Sequence, residues 1–380
     1  MGSDLNVYRK LQKHINNMPV AFPESVLGLD IKLLKHLFNP EEAEIALELS
    51  ALPEPLKRIH KRLAKTGISI GELEEILDNL TEKGSILGGK FFERKGPKKY
   101  YSKAQLAIGM YELQAGRLTK EFEEDFQEYF DEKFHSAFHS KKTSQMRTIP
   151  INKGVNIERY VDSYDNARSI ANKTDRPMAV IECVCRSGKD LHEQPCKHSD
   201  IRETCLLFED VANFAIDTGG ARLVTKEEMM ELLSKAEDAG FVLQPENNQN
   251  PNFICCCCGC CCNVLTTVKK YPRPVEFYHS NFYSSINPKQ CEVCWECIDI
   301  CPMEAISADD GYSAVDKDRC IGCGVCVSKC PTNSIELKQK ESKYVPPKDS
   351  EAMYKKILME RIGIGGILKA IPKIVLGQKI

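Results

Sequence analysis

Apolar side chains recur at helical spacing in the first third of the chain. Three segments with this period are predicted to be helices, at residues 41–49, 54–65 and 69–83. In the third segment, Ser69 and Glu72 have the spacing of a capping box, which predicts where the helix begins. Apolar and aromatic runs at 86–92 and 99–101 follow, separated by the turn signal at 95–97, and predict a hairpin. This order, three helices followed by a hairpin, is typical of a winged helix.

The pattern is less regular after the hairpin. Local composition predicts a helix over 106–129, a polar linker over 141–156, a strand over 177–181 and a polar loop over 245–252. Thr225 and Glu228 form a second capping signal, which predicts a helix over 225–239. The last thirty residues form a separate tail that is basic and amphipathic. Such a tail suits a membrane surface, a partner's groove or the protein's own body.

These patterns predict an α+β multidomain protein with four regions. They are a winged-helix-like domain (1–140), a cysteine-rich α/β domain (141–280), a ferredoxin-like domain with a pseudo-twofold repeat (281–345) and the tail (346–380). The 380 residues suffice for two or three domains, and 42% hydrophobic with 28% charged residues is a globular composition. A net charge of −2 gives no general attraction to polyanions, so any nucleic-acid binding would have to be local.

Cysteine changes this picture. All 19 cysteines lie between Cys183 and Cys330. A disulfide framework would need an oxidising compartment and usually a short chain. The N-terminal sequence lacks the apolar core of a signal peptide, and no apolar run reaches the length of a membrane span. We therefore expect a cytoplasmic protein whose cysteines bind metal, with peripheral contact to the inner face of the membrane as an option for the tail.

The motif C-x2-C-x2-C-x3-C-P occurs twice between residues 291 and 331. Three thiolates on one tight loop converge on a single [4Fe–4S] cluster, and the fourth cysteine of the motif reaches the other cluster. We predict one cluster on Cys291, Cys294, Cys297 and Cys330, and a second on Cys320, Cys323, Cys326 and Cys301. A zinc ribbon is the alternative, but its paired C-x2-C knuckles do not account for the third cysteine or the proline.

Eleven further cysteines lie upstream, and seven of them crowd into residues 255–262. Neighbours in such a run point in different directions, so they would face two or more clusters. Nine of the eleven are predicted ligands of additional clusters: Cys183, Cys185, Cys196, Cys205, Cys255, Cys257, Cys258, Cys261 and Cys262. Buried structural cysteines, or exposed cysteines that carry sulfur or metal transiently, are the alternatives.

Over about residues 40–335 the chain resembles a family of bacterial and archaeal proteins described as 4Fe–4S ferredoxin-type proteins. The resemblance is carried by the C-x-C-R motif ending at Arg186, by the segment 218–222, by the dense cysteine run and by the ferredoxin repeat. It implies a winged-helix-like N-terminus and redox cofactors, with two more iron–sulfur clusters in the middle region, and no enzyme activity follows from it. The family varies at the positions of Cys256 and Cys260, which makes these two the weakest ligand candidates.

The resulting functional hypothesis is an anaerobic electron carrier. It would relay electrons from a reductase or an electron-transfer flavoprotein to a larger complex. No nucleotide-binding motif or nucleophile constellation is found, so a catalytic role is not predicted. The alternative is a redox-sensing regulator that binds DNA through the winged helix. Because the third helix is acidic, with Glu72, Glu74, Glu75, Asp78 and Glu82, phosphates would repel it, and protein docking is favoured. Arg186 and Arg222 are either donors to the clusters or surface residues.

Overall fold

A computed structural model of the chain describes residues 2–93, 96–152, 162–309 and 311–375. It has two compact units. The first comprises Met1–Thr143, Phe214–Ala221 and Tyr354–Ile380, and the second comprises Ser144–Asn213 and Arg222–Met353. Both helices and strands occur, and the strands form small antiparallel sheets. Within the part of the chain so described, no helix has the length and apolar character needed to cross a membrane.

The first unit is mainly helical. Its helices are α1 (Gly2–Ile15), α2 (Leu29–Leu37), α3 (Pro40–Ala46), α4 (Leu56–Leu63), α5 (Ile70–Glu82), α6 (Lys120–Tyr129) and α7 (His135–Phe138). Strands β1 (Glu54–Pro55), β2 (Ile86–Glu93) and β3 (Gly96–Lys103) form a sheet in the order β1–β3–β2. The capping box is confirmed, since the Glu72 amide donates to Ser69 and the Ser69 amide donates to Glu72. The hairpin is confirmed too, although the turn residue Lys95 lies outside the described residues.

Two helix predictions in this unit are partly wrong. The segment predicted as a helix over 54–65 begins with a strand, because Glu54 pairs with Tyr101 of β3 and the helix starts only at Leu56. The helix predicted over 106–129 is broken. Its first part is an irregular turn with non-helical backbone at Gly109 and its neighbours, and α6 begins only after Thr119, whose hydroxyl accepts from the Phe122 amide.

The tail forms helix α15 (Ser350–Val375), with a break in the helical backbone at Gly363. Ile357 is buried, Glu360 accepts hydrogen bonds from Thr143, and Arg361 donates to the Met18 carbonyl. The beginning of the tail therefore packs on the protein itself. Residues 376–380 lie outside the described residues.

The second unit contains a five-stranded antiparallel sheet in the order β6–β4–β5–β8–β7. Its strands are β4 (Met178–Glu182), β5 (Glu203–Phe208), β6 (Arg222–Val224), β7 (Val242–Pro245) and β8 (Phe253–Cys257). Helices α8 (Ala167–Lys173), α9 (Val184–Leu191), α10 (Glu209–Asp217), α11 (Lys226–Asp238) and α12 (Asn263–Val268) accompany it. The predicted strand over 177–181 and the helix over 225–239 are confirmed as β4 and α11, and Val180, Leu206, Ile254 and Leu233 share one core.

The predicted linker over 141–156 is wrong for its described part. Met146 and Ile149 form bridges with Glu246 and Leu243 at the β7 edge, and both are buried. The guanidinium of Arg147 is buried as well and donates to Asp165 at 2.6 Å. The polar composition of this segment indicated a linker, but the segment extends the sheet, and Asp165 and the Tyr164 carbonyl accept from its buried Arg147. Residues 153–156 lie outside the described residues.

The C-terminal part of this unit repeats one order of elements: strand, cysteine loop, short helix, strand. The first copy uses β9 (Phe282–Ile286), α13 (Glu296–Asp299) and β10 (Ile306–Asp309), and the second uses β11 (Tyr312–Val315), α14 (Val325–Lys329) and β12 (Ile335–Gln339). The copies interlock, because β9 pairs with β12 and β10 pairs with β11. As a result, the two cysteine loops lie side by side.

Candidate metal centres

Two cavities lie between the repeated elements, and each is lined by four cysteines. The first is lined by Cys291, Cys294, Cys297 and Cys330, together with Trp295, Ser313 and Ser334 among others. The second is lined by Cys301, Cys320, Cys323 and Cys326, together with Ser284, Met303 and Ile321 among others. Each cavity encloses about 300 Å³, counting its open mouth. Three cysteines of each set come from one loop and the fourth comes from the other copy.

The two loops share an unusual backbone. Val293 and Trp295 in the first loop have φ values of 60° and 65°, and Gly322 and Gly324 in the second have 67° and 77°. Only the second loop uses glycine, for which the left-handed conformation costs little. At Gly322 a side chain would also collide with the chain, since a Cβ would lie 2.2 Å from the Phe282 carbonyl oxygen.

Donors surround the sulfurs of the second cavity. The Ser284 amide lies 3.4 Å from Cys320 Sγ, the Ser284 hydroxyl lies 3.2 Å from Cys326 Sγ, and the Ala305 amide donates to Cys301 Sγ at 3.2 Å. Burial raises the pKa of Cys326 to about 12. A thiol in this environment becomes a thiolate when a metal supplies the positive charge. The donor set fits an iron–sulfur cluster, since hydrogen bonds to the sulfurs tune cluster potential.

Ten of the eleven upstream cysteines separate into two groups. The six-cysteine group comprises Cys183, Cys185, Cys205, Cys255, Cys257 and Cys262, and the four-cysteine group comprises Cys196, Cys258, Cys260 and Cys261. The division follows from the strand β8, because successive side chains of a strand point to opposite faces. Cys255 and Cys257 join one group, whereas Ile254, Cys256 and Cys258 point into the core beneath the sheet.

Four elements supply the six-cysteine group. Cys183 precedes α9 and Cys185 lies in its first turn, while Cys262 precedes α12. Cys205 of β5 stands directly opposite Cys255 of β8 in the sheet register, which makes them close neighbours. A hydrogen bond from the Cys185 thiol lowers the pKa of Cys183 to about 6.

Tyr278 borders the six-cysteine group. Its ring is buried, and its hydroxyl has no hydrogen-bond partner among the described residues. Burial, followed by the charges of Cys262 and Cys257, raises the pKa of Tyr278. A buried hydroxyl without a partner is costly, and a cluster sulfide held by this group would accept a hydrogen bond from it.

The four-cysteine group is more compact. Cys196 comes from the loop after α9, and the other three come from the segment between β8 and α12. The Sγ of Cys196 lies 3.6 Å from that of Cys258 and 3.7 Å from that of Cys260. The Sγ of Cys260 lies 3.5 Å from those of Cys258 and Cys261, and all four sulfurs lie within 4.8 Å of one another.

The structure separates the two cysteines that the sequence had ranked lowest. Cys260 lies in the four-cysteine group, although it was not among the nine ligands predicted from the sequence. The C-x-C-C spacing of Cys258, Cys260 and Cys261 was the available signal. Cys256 belongs to neither group, and burial in the apolar core raises its pKa to about 12. The structure therefore fits a packing role for Cys256.

Arg186 lies between the two groups. It is fully buried, donates to the Thr204 hydroxyl at 2.5 Å and to the Cys256 carbonyl at 3.0 Å, and stacks on Phe241. Burial opposes its charge, but neighbouring thiolates, first that of Cys183, raise the pKa of Arg186. Arg222, its counterpart in the sequence reasoning, is a surface residue.

Arg222 forms ion pairs with Glu203 and Glu228, both at 2.7 Å. The two arginines thus divide between the alternatives that the sequence left open: Arg186 lies beside the thiolates, and Arg222 lies on the surface.

Comparison with known proteins identifies one part of the chain. Residues 287–341 match the model of the LdpA Fe-S cluster-binding domain. This segment contains both copies of the cysteine motif. No curated protein and no solved structure matches the chain. The match and the cysteine groups together support an iron–sulfur, metal-binding protein.

Proposed function

We propose that the protein is an electron carrier that relays single electrons through several [4Fe–4S] clusters. Cys291, Cys294, Cys297 and Cys330 would hold one cluster, and Cys301, Cys320, Cys323 and Cys326 a second. The observation that carries the proposal is the closeness of the two cavities. Cys297 and Cys326, one from each set, pack in the same group of buried side chains, together with Ile306 and Ile335. Because these residues pack together, electrons would cross a short distance between the two cavities.

The six-cysteine group extends this path with a further [4Fe–4S] cluster. Its members Cys257 and Cys262 pack in the same group of buried side chains as Cys320 and Cys323 of the second cavity. The backbones also approach closely. A Cβ at Gly259 would lie 2.8 Å from the Pro302 Cα, so only glycine fits there. The relay would run from the first cavity through the second to the six-cysteine group.

The first cavity is the place for exchange with a redox partner. Cys294 is exposed, and the Trp295 side chain is 37% exposed. The cysteines of the second cavity are more enclosed, with Cys320, Cys323 and Cys326 all buried. A reductase, an electron-transfer flavoprotein or a larger electron-transfer complex in the cytoplasm would dock near Cys294, since tunnelling favours the shortest distance. A peripheral membrane or partner contact of the tail remains part of this proposal.

The regulator hypothesis has less support. On the winged-helix-like domain, Lys99 of the hairpin contacts Asp78 at 2.5 Å and Glu74 at 2.9 Å. The acidic helix α5 thus neutralises a cation that DNA phosphates would require. Measuring duplex DNA affinity at stated salt, with reduced and with oxidised clusters, tests this point. Specific nanomolar binding that depends on cluster state would favour the regulator over the carrier.

The carrier proposal is tested on the full chain purified without oxygen. We expect about twelve cluster irons with equal acid-labile sulfide, and reversible one-electron steps between about −700 and +450 mV in a titration followed by electron paramagnetic resonance. The reduced protein should pass electrons to an added flavoprotein. Cys256→Ser is the matched control, since Cys256 lies outside both groups. Clusters that are present but redox-inert over this range would overturn the proposal.

A further inference from the structure

The sulfurs of the four-cysteine group are too close together for a cubane cluster. In a [4Fe–4S] cluster each thiolate binds a different iron and lies outside it, so cysteine sulfurs stand about 6 Å apart. Four thiolates about 2.3 Å from a single ion form a tetrahedron with edges of about 3.8 Å. The separations of 3.5 to 3.7 Å between Cys260 and its three neighbours match the second arrangement.

The ferredoxin cysteines provide an internal comparison. Each set of four lines a cavity. In the four-cysteine group, by contrast, all four sulfurs lie within 4.8 Å of one another, and no other group of three or more His, Cys, Asp or Glu ligand atoms among the described residues is as close. The same chain thus holds two kinds of cysteine site, one spread around a space and one already converged on a point.

We propose that Cys196, Cys258, Cys260 and Cys261 bind one metal ion, zinc or iron, as a closed mononuclear tetrathiolate. Both ions accept a tetrahedral set of four thiolates. This site takes the place of one of the two additional clusters that the sequence predicts. Four thiolates and a divalent ion leave a charge of −2. The buried Arg186 guanidinium, beside Cys258 and Cys196, offsets part of that charge.

The site has a positioning role that follows from its place in the chain. Cys258 directly follows Cys257, and Cys261 directly precedes Cys262, so two of its ligands are covalent neighbours of two members of the six-cysteine group. Cys196 adds a cross-link across 62 residues of sequence to Cys258. One bound ion therefore cross-links the segment 257–262 to the loop that carries Cys196.

The first measurement uses the unmodified full chain, purified without oxygen. Iron, zinc and acid-labile sulfide are counted, and X-ray absorption is recorded at the zinc edge. We expect about one metal ion per chain in excess of the sulfide. If it is zinc, it should have four sulfur neighbours at about 2.3 Å and no close metal neighbour. If iron alone exceeds the acid-labile sulfide by about one per chain, the ion is iron. Equal iron and sulfide with no zinc would overturn the proposal.

The second measurement compares the variants Cys260→Ser and Cys256→Ser. The two cysteines are four residues apart, and only Cys260 lies in the four-cysteine group. Cys260→Ser should lose about one metal ion per chain while sulfide stays unchanged, and Cys256→Ser should lose none. Loss of about four irons and four sulfides in Cys260→Ser would show a cubane cluster there and overturn the proposal. These counts involve no redox partner, so they stand or fall independently of the electron-carrier proposal.

Discussion

The C-terminal repeat and the six-cysteine group distribute their cysteines in opposite ways. In the repeat, three cysteines of each set lie on one loop, so spacing along the chain already groups them. In the six-cysteine group, two strands (β5 and β8) and the starts of two helices (α9 and α12) contribute the thiols. There the alternation of β8 decides which cysteines meet, and adjacent residues such as Cys257 and Cys258 join different groups. A cysteine motif therefore specifies a site only when one loop supplies most of its ligands.

The largest expected effect comes from removing a predicted ligand of the repeat, compared with removing Cys256, which lies outside both upstream groups. Cys320→Ser should lower the iron content of the full chain by about four, because an incomplete ligand set loses its cluster. Cys256→Ser should leave the content unchanged. Iron and sulfide assays on anaerobically purified protein measure both. Equal losses in the two variants would contradict the separation of Cys256 from the metal sites.

The next prediction concerns a double substitution in the six-cysteine group. Replacing Cys183 and Cys185 together by Ser should remove about four irons and leave about eight in the ferredoxin repeat. Electron paramagnetic resonance of the reduced protein should then keep the signals of two interacting clusters. If all iron were lost, the repeat would depend on the upstream region, and the two regions would be a single unit of assembly.

The two arginines sharpen the comparison in terms of stability. Arg186→Met should lower the free energy of unfolding by about 3 kcal/mol, because the Thr204 hydroxyl and the Cys256 carbonyl lose a buried charged donor. Arg222→Met should cost less than about 1 kcal/mol, since its ion pairs are exposed. Urea unfolding without oxygen gives both values. Similar costs would show that the buried guanidinium is not specially important.

The smallest effects distinguish the two loops of the repeat. Gly322→Ala should destabilise by about 2 kcal/mol, because φ is positive and a Cβ would overlap the Phe282 carbonyl. Val293→Gly should stabilise by up to about 1 kcal/mol, because valine adopts the same left-handed conformation at a cost. Thermal unfolding of the two variants measures the difference. A loss of stability in Val293→Gly would mean that the valine side chain contributes more packing than its conformation costs.

Local signals predicted the elements that depend only on their own residues. The capping boxes and apolar period of α5 and the apolar run of β4 are examples. Prediction failed where distant partners decide. Residues around Arg147 resemble a linker, yet Asp165 and the edge of β7 bury them. Cys260 was ranked low because the resembled family varies at its position, and a single sequence does not show that Cys196, 64 residues away, lies beside it.

The strand β8 has one more consequence, which concerns how the chain reaches its register. A shift of one residue in a strand exchanges the two faces. In β8 such a shift would exchange cysteine for cysteine, because residues 255–258 are identical. The run therefore carries no information about its own alignment with β5 and β7. Phe253 and Ile254, which pair with Leu207 and Leu206, must specify it. A metal ion that reached the unfolded run first would capture the wrong pair of thiols as readily as the right one, so correct loading requires the sheet to form before the metal arrives.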